Sequence, residues 1–229
     1  MHSLRTRIYN RLVLAIILSN LLSAVLVINR VLSSDSYRYM FLLWNMLLAA
    51  VPVLIAIWLV GRIRKYGWLQ PRQIGLTILW LAFLPNSFYL LTDFIHLRQT
   101  FEADILYDIT MLTSFLINGL ILGYISLVLV HRELVKRLTP TRAFSLILMI
   151  VLAASFAVYL GRFTRWNTWD LLLQPAGLLF DVSDRFVNPG AHPNTFSTTI
   201  LLFAFLSAIY LIVWQAIQFV SESARNSAD

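Results

Sequence analysis

The sequence predicts an all-α polytopic membrane helix bundle with six transmembrane helices, both termini cytoplasmic, and a short re-entrant or interfacial segment in the last outer loop. Three observations predict it. The 229 residues are 59% hydrophobic and 13% charged, with a mean hydropathy of +0.74, a balance that ordinary soluble domains do not have. The apolar residues fall into six runs long enough to span a bilayer. The basic residues crowd the connections on one side, as retention of Lys and Arg in the cytoplasm predicts.

The expected spans are 12–28, 40–60, 74–91, 105–130, 143–160 and 196–220, and together they make one integral membrane domain over 1–229. Lipid forces such runs into helices, because an unpaired backbone amide there costs several kcal/mol. The first run follows Arg5, Arg7 and Arg11; it is longer than a signal-peptide core and no polar mature sequence follows it, so it is read as a retained anchor. The second and third runs flank a loop with four basic residues between Gly61 and Arg72, and the fourth and fifth flank another four between His131 and Arg142. With the N-terminus and the C-terminal tail, that side holds twelve of the 18 basic residues and three of the 11 acids, a net charge of +9. The other side holds six basic residues and eight acids, a net charge of −2. The basic pI near 10.1 is thus spread over short loops, which suits contact with membrane lipid and excludes a nucleic-acid stripe. These signs point to a multi-pass membrane protein with both termini cytoplasmic, and leave protein partners unspecified.

Cysteine is absent and histidine occurs only at 2, 96, 131 and 192, which removes thiolate chemistry and any haem or thiolate site. A divalent metal on Asp and His ligands stays open as a cofactor.

Polar residues inside the apolar runs carry the functional reading. Asn86 follows Pro85, about 18 Å into the third run at 1.5 Å per residue, and spacings of 3, 4 and 3 put Asn86, Tyr89, Asp93 and His96 on one stripe of a continuous helix. A structural role is the alternative: Asn86 satisfying a carbonyl freed by the Pro85 kink, with Asp93 and His96 at a wetted helix end. Asp104 and Asp108 open the fourth run and Asn118 lies deep in it. A helix dipole accounts for Asp104, but Asp108, one turn in, costs about 3 kcal/mol and calls for a partner or a wet cavity. Arg162, Arg165, Asn167 and Asp170 follow the fifth run among Trp166 and Trp169, either as an interfacial belt or as forked donors for the acids or an anionic ligand. The short run Leu171 to Phe180, broken by Gln174-Pro175 and Gly177, reads as an interfacial cover over this cluster. His131 to Glu133 reads as an interfacial stop, His192 as a loop residue, and Trp44-Asn45 as packing or belt residues.

The block Phe83-Leu84-Pro85-Asn86-Ser87-Phe88-Tyr89-Leu90-Leu91-Thr92-Asp93-Phe94-Ile95-His96-Leu97 resembles a family of small bacterial membrane proteins, domain of unknown function 1361. Tyr107-Asp108 and Gly161 to Asp170 are similar to two further blocks of that family, in the same order, while Ser87-Phe88 departs from its Ala-Pro. The resemblance implies a bacterial inner-membrane location and carries no activity.

Three functions compete. In an envelope- or lipid-related enzyme, Asp93, His96 and Asp108 are the catalytic acid/base groups or metal ligands, and Asn86, Tyr89, Arg162, Arg165, Asn167 and Asp170 bind substrate. In an accessory or scaffold subunit the same residues form a structural network, with Asp108 paired to Arg162 or Arg165. In a transporter or channel component, Asn86, Asp108 and Asn118 line a path, although no internal repeat accompanies them.

Overall fold

The computed structural model describes residues 2–34, 36–99 and 105–226. The chain is all-α, and six of its helical stretches are long and apolar enough to cross a membrane: Asn10–Ser34, Tyr37–Tyr66, Pro71–Leu97, Ile105–Val135, Pro140–Thr164 and Pro193–Ala224. All six expected runs lie within these stretches, which continue a few residues beyond them. The overrun is what a helix does where water and headgroups take over its last turns.

In chain order the helices are α1 (His2–Ser34), α2 (Phe41–Tyr66), α3 (Pro71–Tyr89), α4 (Ile105–Val135), α5 (Pro140–Tyr159), α6 (Asp170–Leu173), α7 (Pro175–Val187) and α8 (Pro193–Asn226). Proline starts α3, α5, α7 and α8, where its missing amide and fixed φ cost nothing. Thr139 caps α5 by accepting from the Arg142 amide, and Gly67, at φ +79°, ends α2 in a conformation that L side chains rarely adopt.

α4 is the centre of the bundle. α2 packs against both α3 and α4, α5 joins α3 and α8, and α1 leans on α4. One core gathers Leu59, Trp80, Phe88, Tyr124, Ile147 and Tyr210; a second gathers Val27, Tyr39, Leu42, Met111 and Phe115. α3 and α4 approach closely at Gly119 and Gly123 of α4. A Cβ on Gly119 would lie 2.5 Å from the Ser87 carbonyl oxygen, and one on Gly123 would lie 2.7 Å from the Phe88 ring. This is small-xxx-small packing, in which glycine lets two backbones meet.

The third span departs from the expected continuous helix. α3 ends at Tyr89 and the chain continues as a 3-10 helix over Leu90–Gln99. At three residues per turn the four-residue step from Tyr89 to Asp93 overshoots alignment by roughly 120°. The Asn86, Tyr89, Asp93, His96 stripe therefore splits: the first two stay partly exposed, whereas Asp93 is fully buried.

Candidate functional site

Two buried carboxylates lie at the same end of the bundle, each held by its own arginine. Asp93 accepts from the Arg162 guanidinium, and its other oxygen accepts from Asn45 Nδ2 at 3.1 Å. Arg162 is fixed in turn by Nε donating to Thr92 Oγ1 at 2.8 Å and by stacking 4.6 Å above the Tyr89 ring. Thr92 passes its own hydroxyl to the Tyr89 carbonyl. This unit ties α2, the 3-10 segment and the end of α5 together.

Asp108 is as deeply buried and is engaged by different helices. Arg30 Nε at the end of α1 donates to one oxygen at 2.6 Å, and Tyr39 Oη donates to the other at 2.7 Å. The expected partners, Arg162 and Arg165, are not the ones it has. Arg30 reaches it because α1 leans on α4, an adjacency that the chain separation of 78 residues hides. Beside it, Tyr107 Oη donates to the Leu26 carbonyl and accepts from Asn29. Removing one partner of such a buried pair costs about 3–5 kcal/mol, whereas the intact pair adds little net stability. The pairs therefore fix which helices touch.

The geometry around Arg162 comes from an irregular helix end. α5 passes into a π-helical turn at Leu160–Thr164, and Arg165 follows at φ 61°, in the left-handed region. Such π turns widen the helix and re-aim side chains. Gly161 makes room, since a Cβ there would sit 3.1 Å from the Tyr89 ring.

Against this turn lies a cavity of about 200 Å³. Its polar wall is Asn45, Asn86, Tyr89, Asn167 and Thr168; its apolar wall includes Trp44, Leu160, Trp166 and Leu178. Asn86 Nδ2 donates to Phe83 O at 2.9 Å and to Thr168 Oγ1 at 3.0 Å, and Thr168 donates to Ala82 O. The carbonyl that Pro85 leaves without an amide partner is that of Leu81, so these bonds brace the turn before Pro85 and tie it to Thr168 and are not the carbonyl rescue expected of Asn86. Trp44 and Asn45, read from sequence as packing or belt residues, line the cavity, and Asn45 also touches Asp93.

α7 covers one side. Leu178 faces the cavity and Trp166 Nε1 donates to Asp181 Oδ2 at 2.6 Å. Arg185 is buried and bonds the Asp181 carboxylate and carbonyl. Partial burial raises the Asp181 carboxyl, but hydrogen bonds from Arg185 and Trp166 outweigh it and hold the group below the usual carboxylate range. Hydrogen bonds from His192 and Asn188 hold Asp184 low as well, so His192 is a latch of this loop. The opposite face of α7, with Leu179, Phe180, Phe186 and Val187, is exposed.

The remaining expected residues divide. His96 packs on the Phe41 ring, 4.8 Å between centroids, and its carbonyl accepts from Arg38. Arg165 is exposed, and Asp170 accepts from the Asn167 amide within its own turn. Asn118 donates to Ser23 Oγ and Ser19 O and accepts from Asn20, filling the α1–α4 seam. Asp104 lies outside the described residues. Among the described residues, no group of three His, Asp or Glu side chains is placed to hold a metal ion.

Sequence reasoning passed over Arg30, Tyr39 and Thr168, and gave Asn45 no chemistry. Arg30 carried a usable signal, a cation on the side the charge bias disfavours. At the opposite end, two residues of the expected interfacial stop are buried while Arg132 is exposed: Glu133 meets Arg64, Lys136 and Arg137, and His131 stacks on Trp214 and bonds Tyr210.

No curated protein and no solved structure matches the chain. The model of the family described as Protein of unknown function (DUF1361) matches residues 44–212, a stretch that begins at Trp44 and takes in every cavity residue and the Asp93–Arg162 pair. With a cavity, a buried ion-pair network and six potential spans inside or beside that match, this polytopic membrane protein belongs to the DUF1361 family.

Proposed function

We propose that the protein binds the anionic polar head of a membrane lipid or lipid-linked amphiphile in the cavity beneath α7, at the non-cytoplasmic face of a bacterial inner membrane. The observation that carries this reading is shared construction: Asn45 and Tyr89 line the cavity and also touch the Asp93–Arg162 pair. An anionic head entering there competes with Asp93 for the Arg162 guanidinium, a forked donor suited to phosphate or carboxylate. A volume of about 200 Å³ is below the roughly 300–1,000 Å³ that encloses a drug-sized ligand, so the head is held and the acyl or isoprenoid chain stays in lipid. The exposed apolar face of α7 supports its seat in the interface.

In this reading Asn86, Tyr89, Asn167 and Arg162 bind the head, Asp93 holds Arg162 in place, and Arg165 and Asp170 shape the loop. Asp93, released from Arg162 by the ligand, is the group positioned to take a proton if a reaction follows. The scaffold reading is favoured by a separate observation, the Asp108–Arg30 and Asn118–Ser23 links, which join α1 to α4 away from the cavity.

The chain has no cysteine, so Asn86→Cys gives a single thiol in the cavity. An impermeant maleimide added to intact cells is expected to label it, and an added anionic amphiphile to slow that labelling. Labelling from the cytoplasmic side only, or a rate indifferent to amphiphile, contradicts the proposal.

A further inference from the structure

A second cavity, of about 350 Å³, opens at the other end of the bundle where α2 turns into α3; it is lined by Arg62, Tyr66, Gln70, Pro71, Arg72 and Gln73. Its chemistry is unbalanced in two ways. Neighbouring Arg64 is neutralised by Glu133, but among the described residues Arg62 and Arg72 enter no ion pair, and no acid lines the cavity. Arg62 instead stacks 4.3 Å over the Tyr66 ring, which holds the guanidinium at the rim. Gln73, in the first turn of α3, is 1% exposed, yet among the described residues neither its Nε2 nor its Oε1 finds a hydrogen-bond partner.

An amide buried with both ends unsatisfied is costly. Apolar side chains of similar size would fill the position at no such cost. The start of α3 adds to the same field: Gln70 gives no side-chain cap and Pro71 has no amide hydrogen, so the helix presents its partial positive charge there. Two cations and one N–H donor ask for a phosphate. Oε1 is an acceptor and asks for a donor next to that phosphate, which a bare phosphodiester does not have.

We infer that this cavity holds a phosphate ester carrying an adjacent hydroxyl: a glycerophosphate group, either the headgroup of an anionic phospholipid in the leaflet at this end or a soluble glycerol phosphate. The phosphate lies between Arg62 and Arg72 and accepts from Gln73 Nε2, and a glycerol hydroxyl donates to Gln73 Oε1. The site is at the opposite end from the amphiphile cavity under α7 and does not depend on it.

Thermal unfolding of the full chain in phosphatidylcholine nanodiscs tests it, with phosphatidylglycerol, phosphatidylmethanol, sn-glycerol 3-phosphate or inorganic phosphate added separately. Phosphatidylmethanol has the same charge as phosphatidylglycerol but no hydroxyl. Phosphatidylglycerol is expected to raise the unfolding midpoint more than phosphatidylmethanol does, and R62Q/R72Q to need at least about tenfold more of it for the same rise. Q73L is expected to be more stable than the parent in phosphatidylcholine alone and to lose the preference for the hydroxyl-bearing lipid. R142Q, which removes an exposed cation at the same end, is expected to respond as the parent does and so separates the site from general attraction to anionic lipid. A full response to sn-glycerol 3-phosphate assigns the site to a soluble ester, and a response to phosphatidylglycerol alone assigns it to the bilayer. Equal responses to the two anionic lipids, an undiminished response in R62Q/R72Q, or no response to any phosphate overturns the inference.

Discussion

A single methyl group at Gly119 tests how closely α3 and α4 pack. In Gly119→Ala the new Cβ falls 2.5 Å from the Ser87 carbonyl oxygen and 2.7 Å from Leu90 Cδ1, where real Cβ atoms essentially never come closer than 3.0 Å. Leu90 can rotate, but the carbonyl is backbone, so the helices must part by about 0.5 Å. Overpacking of this kind costs about 1–3 kcal/mol, and alanine's better helix propensity returns about 0.5–1 kcal/mol. The net expectation is a loss of up to about 2.5 kcal/mol, centred near about 1 kcal/mol. Gly75 supplies the opposite sign in the same chain: a Cβ there meets nothing within 4 Å, so Gly75→Ala should gain about 0.5–1 kcal/mol. Equilibrium unfolding in mixed micelles at rising dodecyl sulfate fraction, followed by tryptophan fluorescence, compares the two. If Gly119→Ala proves as stable as Gly75→Ala, the close approach does not govern packing and the reasoning fails.

Asp108→Asn removes the charge opposite Arg30 inside a fully buried site and is expected to cost about 3 kcal/mol or more in the same assay; a loss near zero would show that the pair is solvated. Arg165 is in the left-handed region at φ 61°, so Arg165→Gly should stabilise by about 1 kcal/mol and leave amphiphile retention unchanged; lost retention would give Arg165 a role in the ligand site. The Asp181 contacts set a pH window for α7. Its folded pKa is depressed, so the stabilisation is present above the unfolded value of about 4 and fades as pH falls through the lower folded one. The environment of Trp166 is therefore expected to stay constant from neutral pH down to about 4 and to change only in more acidic solution. A fluorescence transition near pH 6 that Asp181→Asn abolishes would contradict this.

The spans were legible because hydropathy over about 20 residues is a one-dimensional property, and lipid leaves helix as the single outcome. Asp93, Asp108, Arg162 and Asn86 were legible as types, since each is costly where it stands and needs an answer. Their pairing was not, because it depends on which helices are neighbours. Arg30 answers Asp108 through the α1–α4 contact, and Arg162 answers Asp93 through the π turn after Tyr159. The switch to a 3-10 helix after Tyr89 also escaped the periodicity argument, which assumes 3.6 residues per turn throughout. It is the reason Asp93 turns inward to Arg162 while Asn86 and Tyr89 stay on the cavity. Gly119 and Gly123 were visible as letters, but their meaning came only with Ser87 and Phe88 against them.

The proposed occupant of the cavity under α7 is an anionic amphiphile that draws on Arg162. Native mass spectrometry of the protein released from membrane nanodiscs reads this directly, comparing the parent chain with Arg162→Gln and with Arg142→Gln as a distant control. An anionic amphiphile is expected to be retained by the parent and by Arg142→Gln, with retention at least about tenfold weaker in Arg162→Gln while all three stay folded. Equal retention by all three, or no retained amphiphile in the parent, contradicts it.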